Sequence, residues 1–501
     1  MINRVMWLAA VMAAAVTPLS LRATPYASCL TNNAGTIQFY LNESGGNVVV
    51  TYEDGSTNAN FNGSNTGTNV ASGTQSFALG THTSYTITVS KIGTGSAAVT
   101  HTLSYGTPRG IDVNKNPSSP YFGNVYVSCA SATAATNALR RLNSDLSGIS
   151  TNSGGVAWLN SASEPYRLLV CDDDYLSVGS YSSGGHSGVY RISPDLTTGQ
   201  NLLGPPGDTA GSAANSHGSQ IGDCRLLGNM QNGDQCVLFT VDAGSFGFNS
   251  SQLNSLLVYS NLTLANIPRI TAPDLLGPET TLNLSLQNNY PSISIGPASQ
   301  NPRYIYISNR RDGPSGGSAD LQIYALTNLV VNTSAGGGSV NLATTPGAVW
   351  NSYYNGTVND YFSVNSTGPS DGAVSPDGKY YAAEGYGNNQ IVVCSLTNGI
   401  PDVSTIYTVA NTGSTTAAGR GFCWDAADNV YLASSGGGFF QEWSLGFTAT
   451  AVTTGNASGA TGFSVVLPSI QVGVAATNSI QTATLSQVNS YGNPTNAMFV
   501  I

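Results

Sequence analysis

The acidic side chains best suited to binding a cation are concentrated in one short stretch of the chain. Asp172, Asp173 and Asp174 are consecutive, and hard cations such as calcium take several oxygen ligands of this kind. The D-x-D-x-D-G spacing of a calcium-binding loop is missing, however. The cluster is therefore interpreted either as a solvated acidic loop or as a weak metal site, with calcium as the preferred ion.

Signatures of nucleophilic or metal-assisted catalysis are absent from the sequence. The histidines are His82, His101, His186 and His217, and none belongs to an H-E-x-x-H motif. The G-x-S-x-G match Gly313–Gly317 lies in a loop between two predicted strands, whereas a nucleophile elbow needs a strand-to-helix turn, and the phosphate-binding glycine-loop motif is missing. No particular reaction is predicted, so enzymatic activity stays open and a non-catalytic role is favoured.

The seven cysteines offer two candidate disulfides. Cys224 and Cys236 lie at the two ends of a predicted hairpin whose turn is Asn232-Gly233, and they form the first candidate pair. Cys129 and Cys171 end equivalent strands of neighbouring repeats and form the second. An exported protein could oxidise them. The alternative is that all are small buried thiols, as cysteine often is.

The elements that must position these residues recur along the chain. Each unit is predicted to open with a short inner strand: Gly110–Val113, Val156–Leu159, Gln220–Leu226, Ser292–Gly296, Gly372–Ser375 and Gly421–Trp424. A second, β-rich strand follows at Asn124–Ala130, Arg167–Asp172, Cys236–Asp242, Arg303–Asn309, Lys379–Glu384 and Asn429–Ser434. Third strands include Gly188–Leu196, Ser255–Leu264, Asp320–Asn328 and Asn389–Asn398, and weaker fourth strands include Ser404–Ala410 and Thr461–Leu467. Four antiparallel strands per unit predict the blades of an all-β propeller over residues 108–468.

Three segments carry a family resemblance. Arg109–Val127 and Arg420–Ala433 resemble NHL-type propeller repeats, and Ser375–Lys379 (SPDGK) is similar to the turn of YVTN-type, WD40-like propellers. The resemblance implies a secreted β-propeller, and the six recurring units predict six blades, with seven as the alternative count. It implies a fold and no reaction, because propellers host many functions.

Propeller topology predicts a ring of charged residues at one end of the axial channel. Loops after every second strand emerge on the same face as the starts of the inner strands. The ligand-binding candidates that this places at one mouth are Arg109, Asp172, Asp242, Arg310, Asp371, Glu384 and Arg420. Mixed carboxylates and guanidiniums around a channel form a candidate site. The alternative is structural, with Arg109 and Arg420 joining neighbouring blades through salt bridges.

Both flanks of the repeats have their own character. Residues 1–23 predict a cleaved secretory signal, with Arg4 before the apolar run Val5–Val16. Residues 31–105 predict a small immunoglobulin-like β-sandwich, although the last strand, Ala97–Ser104, is alternatively assigned to the propeller. Residues 469–501 predict either the start of a further β module or an extension of the propeller edge.

Composition limits the classes of function. The net charge is −10 and the sequence pI is about 4.7, with no basic run, which argues against a nucleic-acid partner. No segment after the signal is predicted to span a membrane. The favoured hypothesis is a non-catalytic extracellular or cell-surface module, part of a larger protein, that binds a protein or glycan. The alternative is a secreted propeller hydrolase or lactonase with an axial metal; a quinone-dependent propeller would need repeated tryptophan motifs that the five tryptophans do not form.

Overall fold

The computed structural model is built from antiparallel β-strands, as predicted. It describes residues 24–64, 66–93, 97–130, 138–148, 150–152, 165–180, 188–203, 221–242, 256–267, 274–275, 291–308, 321–326, 330–331, 340–341, 348–354, 357–358, 362, 369–385, 391–409, 419–446, 448–469, 487–490 and 493–494. The predicted signal, residues 1–23, lies outside the described residues. Helical structure within the described ranges includes a 3₁₀ turn at Met230–Asn232, and no described helix is long and apolar enough to cross a membrane.

The described strands are numbered in chain order. The first group is β1 (Ala27–Asn33), β2 (Thr36–Leu41), β3 (Asn47–Tyr52), β4 (Thr57–Asn62), β5 (Gly73–Ala78), β6 (Ser84–Lys91) and β7 (Ala98–Ser104). Next come β8 (Thr107–Val113), β9 (Val125–Ala130), β10 (Leu139–Leu142), β11 (Ser150–Asn152), β12 (Pro165–Val170), β13 (Leu176–Ser180), β14 (Gly188–Ile192), β15 (Gly199–Asn201), β16 (Ile221–Leu227), β17 (Cys236–Asp242), β18 (Leu256–Leu262) and β19 (Asp274–Leu275). The middle group is β20 (Ser292–Ile295), β21 (Tyr304–Ser308), β22 (Leu321–Ala325), β23 (Val330–Val331), β24 (Val340–Asn341), β25 (Trp350–Asn351), β26 (Tyr353–Tyr354), β27 (Thr357–Val358), β28 (Pro369–Val374), β29 (Tyr380–Gly385), β30 (Ile391–Thr397) and β31 (Ile400–Val409). The last group is β32 (Gly419–Trp424), β33 (Val430–Ser434), β34 (Phe439–Ser444), β35 (Thr448–Asn456), β36 (Gly459–Ser469), β37 (Gln487–Ser490) and β38 (Asn493–Pro494).

Six four-stranded sheets within these ranges follow one another along the chain. They are blade 1 (β8–β11), blade 2 (β12–β15), blade 3 (β16–β19), blade 4 (β20–β22 with β25), blade 5 (β28–β31) and blade 6 (β32–β34 with β7). The first strands contact each other in the order β8, β12, β16, β20, β28, β32 and back to β8. Sheets that pack face to face around such a ring form a β-propeller, so the predicted fold class is confirmed.

The ring is closed by a strand from ahead of the first blade. β7 pairs antiparallel with β34, from Ser104 opposite Phe439 to Ala98 opposite Ser444. The alternative assignment of Ala97–Ser104 to the propeller is therefore confirmed, and its inclusion in a separate 31–105 module is wrong. The predicted strand Thr461–Leu467 is present within β36, but its assignment to a blade is wrong, because it pairs with β35 and β37. When strands from the two ends of the repeat region pair in one sheet, two open sheet edges are removed. Assigning strands to blades in chain order cannot predict this pairing.

The sandwich is built from both ends of the chain. One sheet is β1-β2-β5, and the other is β38-β37-β36-β35-β6-β3-β4. Their facing side chains form one buried core that includes Ile37, Phe39, Val50, Phe77 and Ile87. β35 and β36 thus leave the predicted 108–468 propeller and join this sheet. The described strands of the 469–501 region, β37 and β38, extend it further, so they pair with the sandwich rather than with the propeller edge.

Blade 2 begins one strand later in the chain than predicted. β12, which contains Arg167, is its innermost strand, since it pairs with β13 alone and contacts the inner strands β8 and β16. The segment Val156–Leu159, predicted as the inner strand, lies outside the described residues. Because β12 runs in the inner-strand direction, the acidic cluster that follows it leaves the blade at the opposite end of the channel from the predicted mouth.

The structure leaves all seven thiols unpaired. The predicted hairpin is present, with Gly233 in the left-handed conformation at φ 82°. However, Cys224 lies opposite Thr240, four residues along β17 from Cys236, or about 13 Å at the rise of an extended strand. A disulfide needs Cα atoms closer than about 7 Å, so the Cys224–Cys236 prediction is wrong. Cys129 and Cys171 are also free, and they are buried in different core clusters.

Candidate functional site

The structure places four of the seven predicted ring residues at one end of the channel. Asp371 lies near the start of β28, and its cross-strand neighbour in blade 5 is Glu384. Arg420 and Arg109 lie at the equivalent ends of β32 and β8. We call this end of the channel, defined by these four residues, the mouth.

The other three predicted residues do not join this group in the described structure. Asp172 is at the opposite end, where its Oδ2 accepts a hydrogen bond from the Gly228 amide at 3.3 Å. Asp242 ends β17 on the mouth side, but its side chain lies outside the described part. Arg310 lies outside the described residues altogether.

Register shifts in the inner strands change the direction of the side chains at the mouth. β8 shifts between Pro108 and Gly110, so that Arg109 is the extra residue, and β32 shifts between Gly419 and Gly421 around Arg420. β28 shifts in the same way just before Asp371. A β-bulge turns a side chain out of the regular alternation, which is why charged residues can occupy strands that are otherwise apolar.

Arg167 crosses the channel, and sequence reasoning missed it. Its Nε donates to the Arg420 carbonyl in blade 6 at 2.9 Å, while Nη1 donates to the Pro291 carbonyl beside blade 4 at 2.5 Å and to the Gly222 carbonyl in blade 3 at 3.4 Å. Nε also lies 3.5 Å from Oδ2 of Asp371 in blade 5. One buried guanidinium from blade 2 therefore contacts four other blades.

Three buried aspartates join the blades in pairs. Asp371 accepts the amides of Gly372 in its own strand and Phe422 in blade 6, both at 2.8 Å. Asp223 in blade 3 accepts the amide of Ile293 in blade 4 at 2.8 Å. Asp112 in blade 1 accepts the amide of Val170 in blade 2 at 2.8 Å. An aspartate within an otherwise apolar inner strand was the sequence signal that could have identified Asp112 and Asp223.

A second arginine, Arg225, pairs with one of these aspartates below the mouth. Arg225 Nη1 lies 3.0 Å from Oδ1 of Asp223, and its Nε donates to the Ile293 carbonyl at 2.6 Å. The charge of Asp223, together with the more distant Asp371 and Asp112, outweighs burial and raises the pKa of this guanidinium. The channel carboxylates therefore face arginines and backbone amides.

Glu384 differs from these paired groups. It is fully buried, and neither carboxylate oxygen has a hydrogen-bond partner within the described chain. A Cβ on Gly419 would lie 2.2 Å from its carboxyl carbon, so the carboxyl packs directly on the backbone where β32 begins. Burial and then the charge of Asp371 raise its pKa well above the ordinary value, although the charges of Arg167 and Arg420 oppose this. Burial therefore favours the neutral form of this carboxyl.

Arg109 links the mouth across the junction between the first and last blades. Its Nη1 donates to Oγ of Ser435 at 3.0 Å, and its guanidinium carbon lies 5.8 Å from the centre of the Tyr166 ring. Arg109 thus joins neighbouring blades through a hydrogen bond and a ring contact.

The three consecutive aspartates do not converge on one point. Asp173 forms a buried ion pair with Arg191 at 2.6 Å. Asp174 accepts the side-chain amides of Asn114 and Asn116 at 3.0 and 3.2 Å. Among the described residues, no group of three or more histidine, cysteine or acidic side chains is arranged to hold a metal ion. The geometry therefore gives no support to a calcium site at this cluster.

Comparison with known proteins returned structural neighbours alone. No family model matches the chain, and no curated protein matches it. Similar solved structures include a Trichoderma reesei carbohydrate-active enzyme of family AA12 (12% identity, 71% of this chain and 99% of that chain, TM-score 0.40). A Bacteroides thetaiotaomicron protein of unknown function is similar at 11% identity, with 84% of this chain and 98% of that chain covered and a TM-score of 0.39. A Xanthomonas campestris gluconolactonase is similar at 12% identity, with 70% of this chain and 94% of that chain covered and a TM-score of 0.38.

These similarities are too low to transfer any property to this chain. The assignment of the chain to the β-propellers rests instead on its own sheet order and on the ring of contacting inner strands.

Proposed function

We propose that the protein is a non-catalytic extracellular or cell-surface module that binds a protein or glycan at the mouth of its propeller channel. The observation that carries the proposal is the position of Arg167. Its guanidinium occupies the channel below the mouth and is bound to backbone carbonyls of three blades. A hydrolytic metal centre needs several free oxygen ligands converging on one point, whereas the Asp371 carboxylate binds amides and this arginine.

Arg420 is the group that would contact the ligand, because the Glu384 carboxyl beside it is fully buried. A guanidinium donates several hydrogen bonds. Such a donor suits hydroxyl and amide groups, which glycans and peptide backbones both present. The predicted export signal, together with a surface rich in serine, threonine and asparagine, supports an extracellular location.

The test has a metal arm and a binding arm. We expect purified protein to contain less than stoichiometric calcium, zinc and magnesium by mass spectrometry, and its melting temperature to be unchanged by EDTA. A screen against arrayed glycans and surface proteins should identify a ligand whose affinity falls about tenfold in Arg420→Gln. The matched control is Arg303→Gln, a partly exposed arginine directly before β21, at the end of blade 4 opposite the mouth.

A different set of results would favour the alternative. A stoichiometric divalent ion, with lactone or ester hydrolysis that is lost on chelation, would overturn the binding proposal and support a metal-dependent propeller hydrolase. A ligand whose binding is insensitive to both Glu384→Gln and Arg420→Gln would remove the mouth as the site.

A further inference from the structure

A pocket of about 420 Å³ lies between the sandwich and blade 1, at the end of the blade opposite the mouth. Its walls come from β1, from the loop between β8 and β9, and from β10 with the turn after it. Pockets that bind small ligands have volumes of about 300–1,000 Å³. The pocket is independent of the proposed mouth site, since it shares no residue with it.

The walls are fixed by hydrogen bonds between the two domains. The Cys29 amide donates to the Phe122 carbonyl at 2.8 Å, and the Asn124 side-chain amide lies 2.7 Å from the Cys29 sulfur. The register of β1 against β2 shifts between Ser28 and Thr31, and Cys29 has φ 51°. This bulge is a built feature that turns the edge of β1 around the cavity.

Arg141 carries the one formal charge among the described residues that line the pocket. Its guanidinium carbon lies 5.2 Å from the centre of the Tyr121 ring. Within the described part of the chain it makes no hydrogen bond or ion pair, so its donors have no protein acceptor there. A guanidinium held on an aromatic ring is well placed for two parallel hydrogen bonds to a carboxylate.

The nearby Asp145 carboxylate does not form an ion pair with this arginine in the described structure. It accepts hydrogen bonds from the Tyr40 hydroxyl at 2.7 Å and from the Ser147 amide at 2.9 Å. Burial raises the pKa of the Cys29 thiol to about 11, so the thiol is neutral at physiological pH. Arg141 is therefore a cation without a carboxylate partner in the described chain, on a protein whose net charge is −10.

The rest of the lining is neutral and hydrogen-bonding. Asn124, Asn143 and Thr31 offer two amides and a hydroxyl around the single cation. This balance suits a ligand with one anionic group among many hydroxyls, and it suits polyphosphates poorly because they need several cations. We propose that this pocket binds an acidic saccharide, with a uronate carboxylate on Arg141 and ring hydroxyls on the asparagines and Thr31.

The experiment is calorimetric titration of the full mature chain in EDTA. The probes are a galacturonate trimer, a hyaluronan tetrasaccharide, a mannuronate trimer and neutral maltotriose. We expect at least one uronate to bind and maltotriose not to bind. Arg141→Gln should weaken uronate binding tenfold or more, Arg141→Lys should weaken it less, and Arg303→Gln, outside both the pocket and the mouth, should leave it unchanged.

A second variant tests the pocket while keeping the arginine. Thr31→Trp fills the rim and should abolish uronate binding, whereas Thr57→Trp, at an exposed strand position elsewhere in the sandwich, should not. Melting temperatures near wild type establish that each variant is folded. No binding of any uronate, or binding lost in Arg420→Gln but not in Arg141→Gln, would overturn the proposal. The second result would assign the uronate to the mouth instead, and the first leaves the mouth proposal to be tested through its own ligand.

Discussion

At the scale of single residues, the channel is organised by charges that have been removed from water. Arg167, Asp371 and Glu384 are all essentially fully buried, yet their environments differ. Arg167 and Asp371 are satisfied by each other and by backbone groups, while the Glu384 carboxyl has no such partner. Breaking a buried pair leaves an uncompensated charge, whereas an unpaired carboxyl avoids that cost by staying protonated.

Replacing Arg167 with methionine should be strongly destabilising. Methionine keeps much of the volume but leaves the Asp371 carboxylate and three buried carbonyls without their donor. We expect the free energy of unfolding to fall by about 3–5 kcal/mol, measured by denaturant titration.

The control for this prediction is Arg141→Met. That residue is half-exposed and makes no ion pair, so the change should be within about 0.5 kcal/mol. Equal stabilities for Arg167→Met and the wild type would contradict the role assigned to Arg167.

Glu384 should make the stability of the protein depend on pH. Its folded-state pKa is raised, so its stabilising contribution is complete below the unfolded value of about 4.3 and is lost as pH rises through the folded-state pKa. Glutamine mimics the protonated form at every pH. Compared with the wild type, Glu384→Gln should therefore lose less stability between pH 5 and pH 9 in urea unfolding measured across that range.

The matched control for the pH series is Glu53→Gln. Hydrogen bonds from Thr83, above all from its amide, lower the pKa of the exposed Glu53 to about 2. Its protonation therefore does not change between pH 5 and pH 9, and the slope of stability against pH should equal that of the wild type. A Glu384→Gln profile parallel to the wild type would show that Glu384 is ionised throughout.

At the scale of elements, the inner strands of the first and last blades approach each other through glycine. A Cβ on Gly421 of β32 would lie 2.9 Å from the Gly110 Cα and 3.0 Å from the Arg109 carbonyl of β8. Both obstacles are backbone atoms, so neither can rotate away. The close approach brings together the two strands at which the ring closes.

Gly421→Ala should therefore destabilise the propeller by about 1–3 kcal/mol through overpacking, measured as a fall in the free energy of unfolding. The comparison variant is Gly55→Ala, where a Cβ meets nothing within 4 Å and the cost comes from φ 82° alone. We expect that cost to be about 1 kcal/mol. An unchanged stability in Gly421→Ala would mean that the two strands lie further apart.

At the scale of the whole molecule, propeller and sandwich exchange strands. β7 leaves the N-terminal part of the chain to complete blade 6, while β35 and β36 leave the C-terminal part to complete the sandwich. Folding either unit therefore requires contacts between residues more than 300 positions apart in the chain. Such contacts are slow to form but join the two ends once they are made.

Two shortened chains test the closure of the ring. Residues 97–446 retain β7, and residues 107–446 lack it, so that the third strand of blade 6 becomes an exposed edge. We expect the longer chain to have a clearly higher melting temperature and the shorter one to aggregate more readily. Equal melting temperatures and solubilities would contradict a closing role for β7.

The sequence by itself determined the strands, their order and the four-stranded unit. Alternating apolar residues and turn segments such as Pro376-Asp377-Gly378 act locally, so they could be interpreted without knowing which strand each one pairs with. The predicted strand order also assigned Asp371, Glu384, Arg109 and Arg420 to one mouth. In a propeller, the ends of the second strands lie at the same end of the channel as the starts of the inner strands.

Tertiary structure alone decided which strands pair at a distance and which charges meet. β7 and Thr461–Leu467 are both plausible edge strands, and their choice of sheet depends on closing the ring rather than on their own residues. Cys224 and Cys236 share a hairpin, but its register keeps them apart. Arg167 reaches four other blades because a long side chain near the axis lies close to several inner strands, and those strands are distant in sequence. The local sequence pattern does not determine which strands pair or which side chains meet, because pairing and burial are properties of the assembled ring.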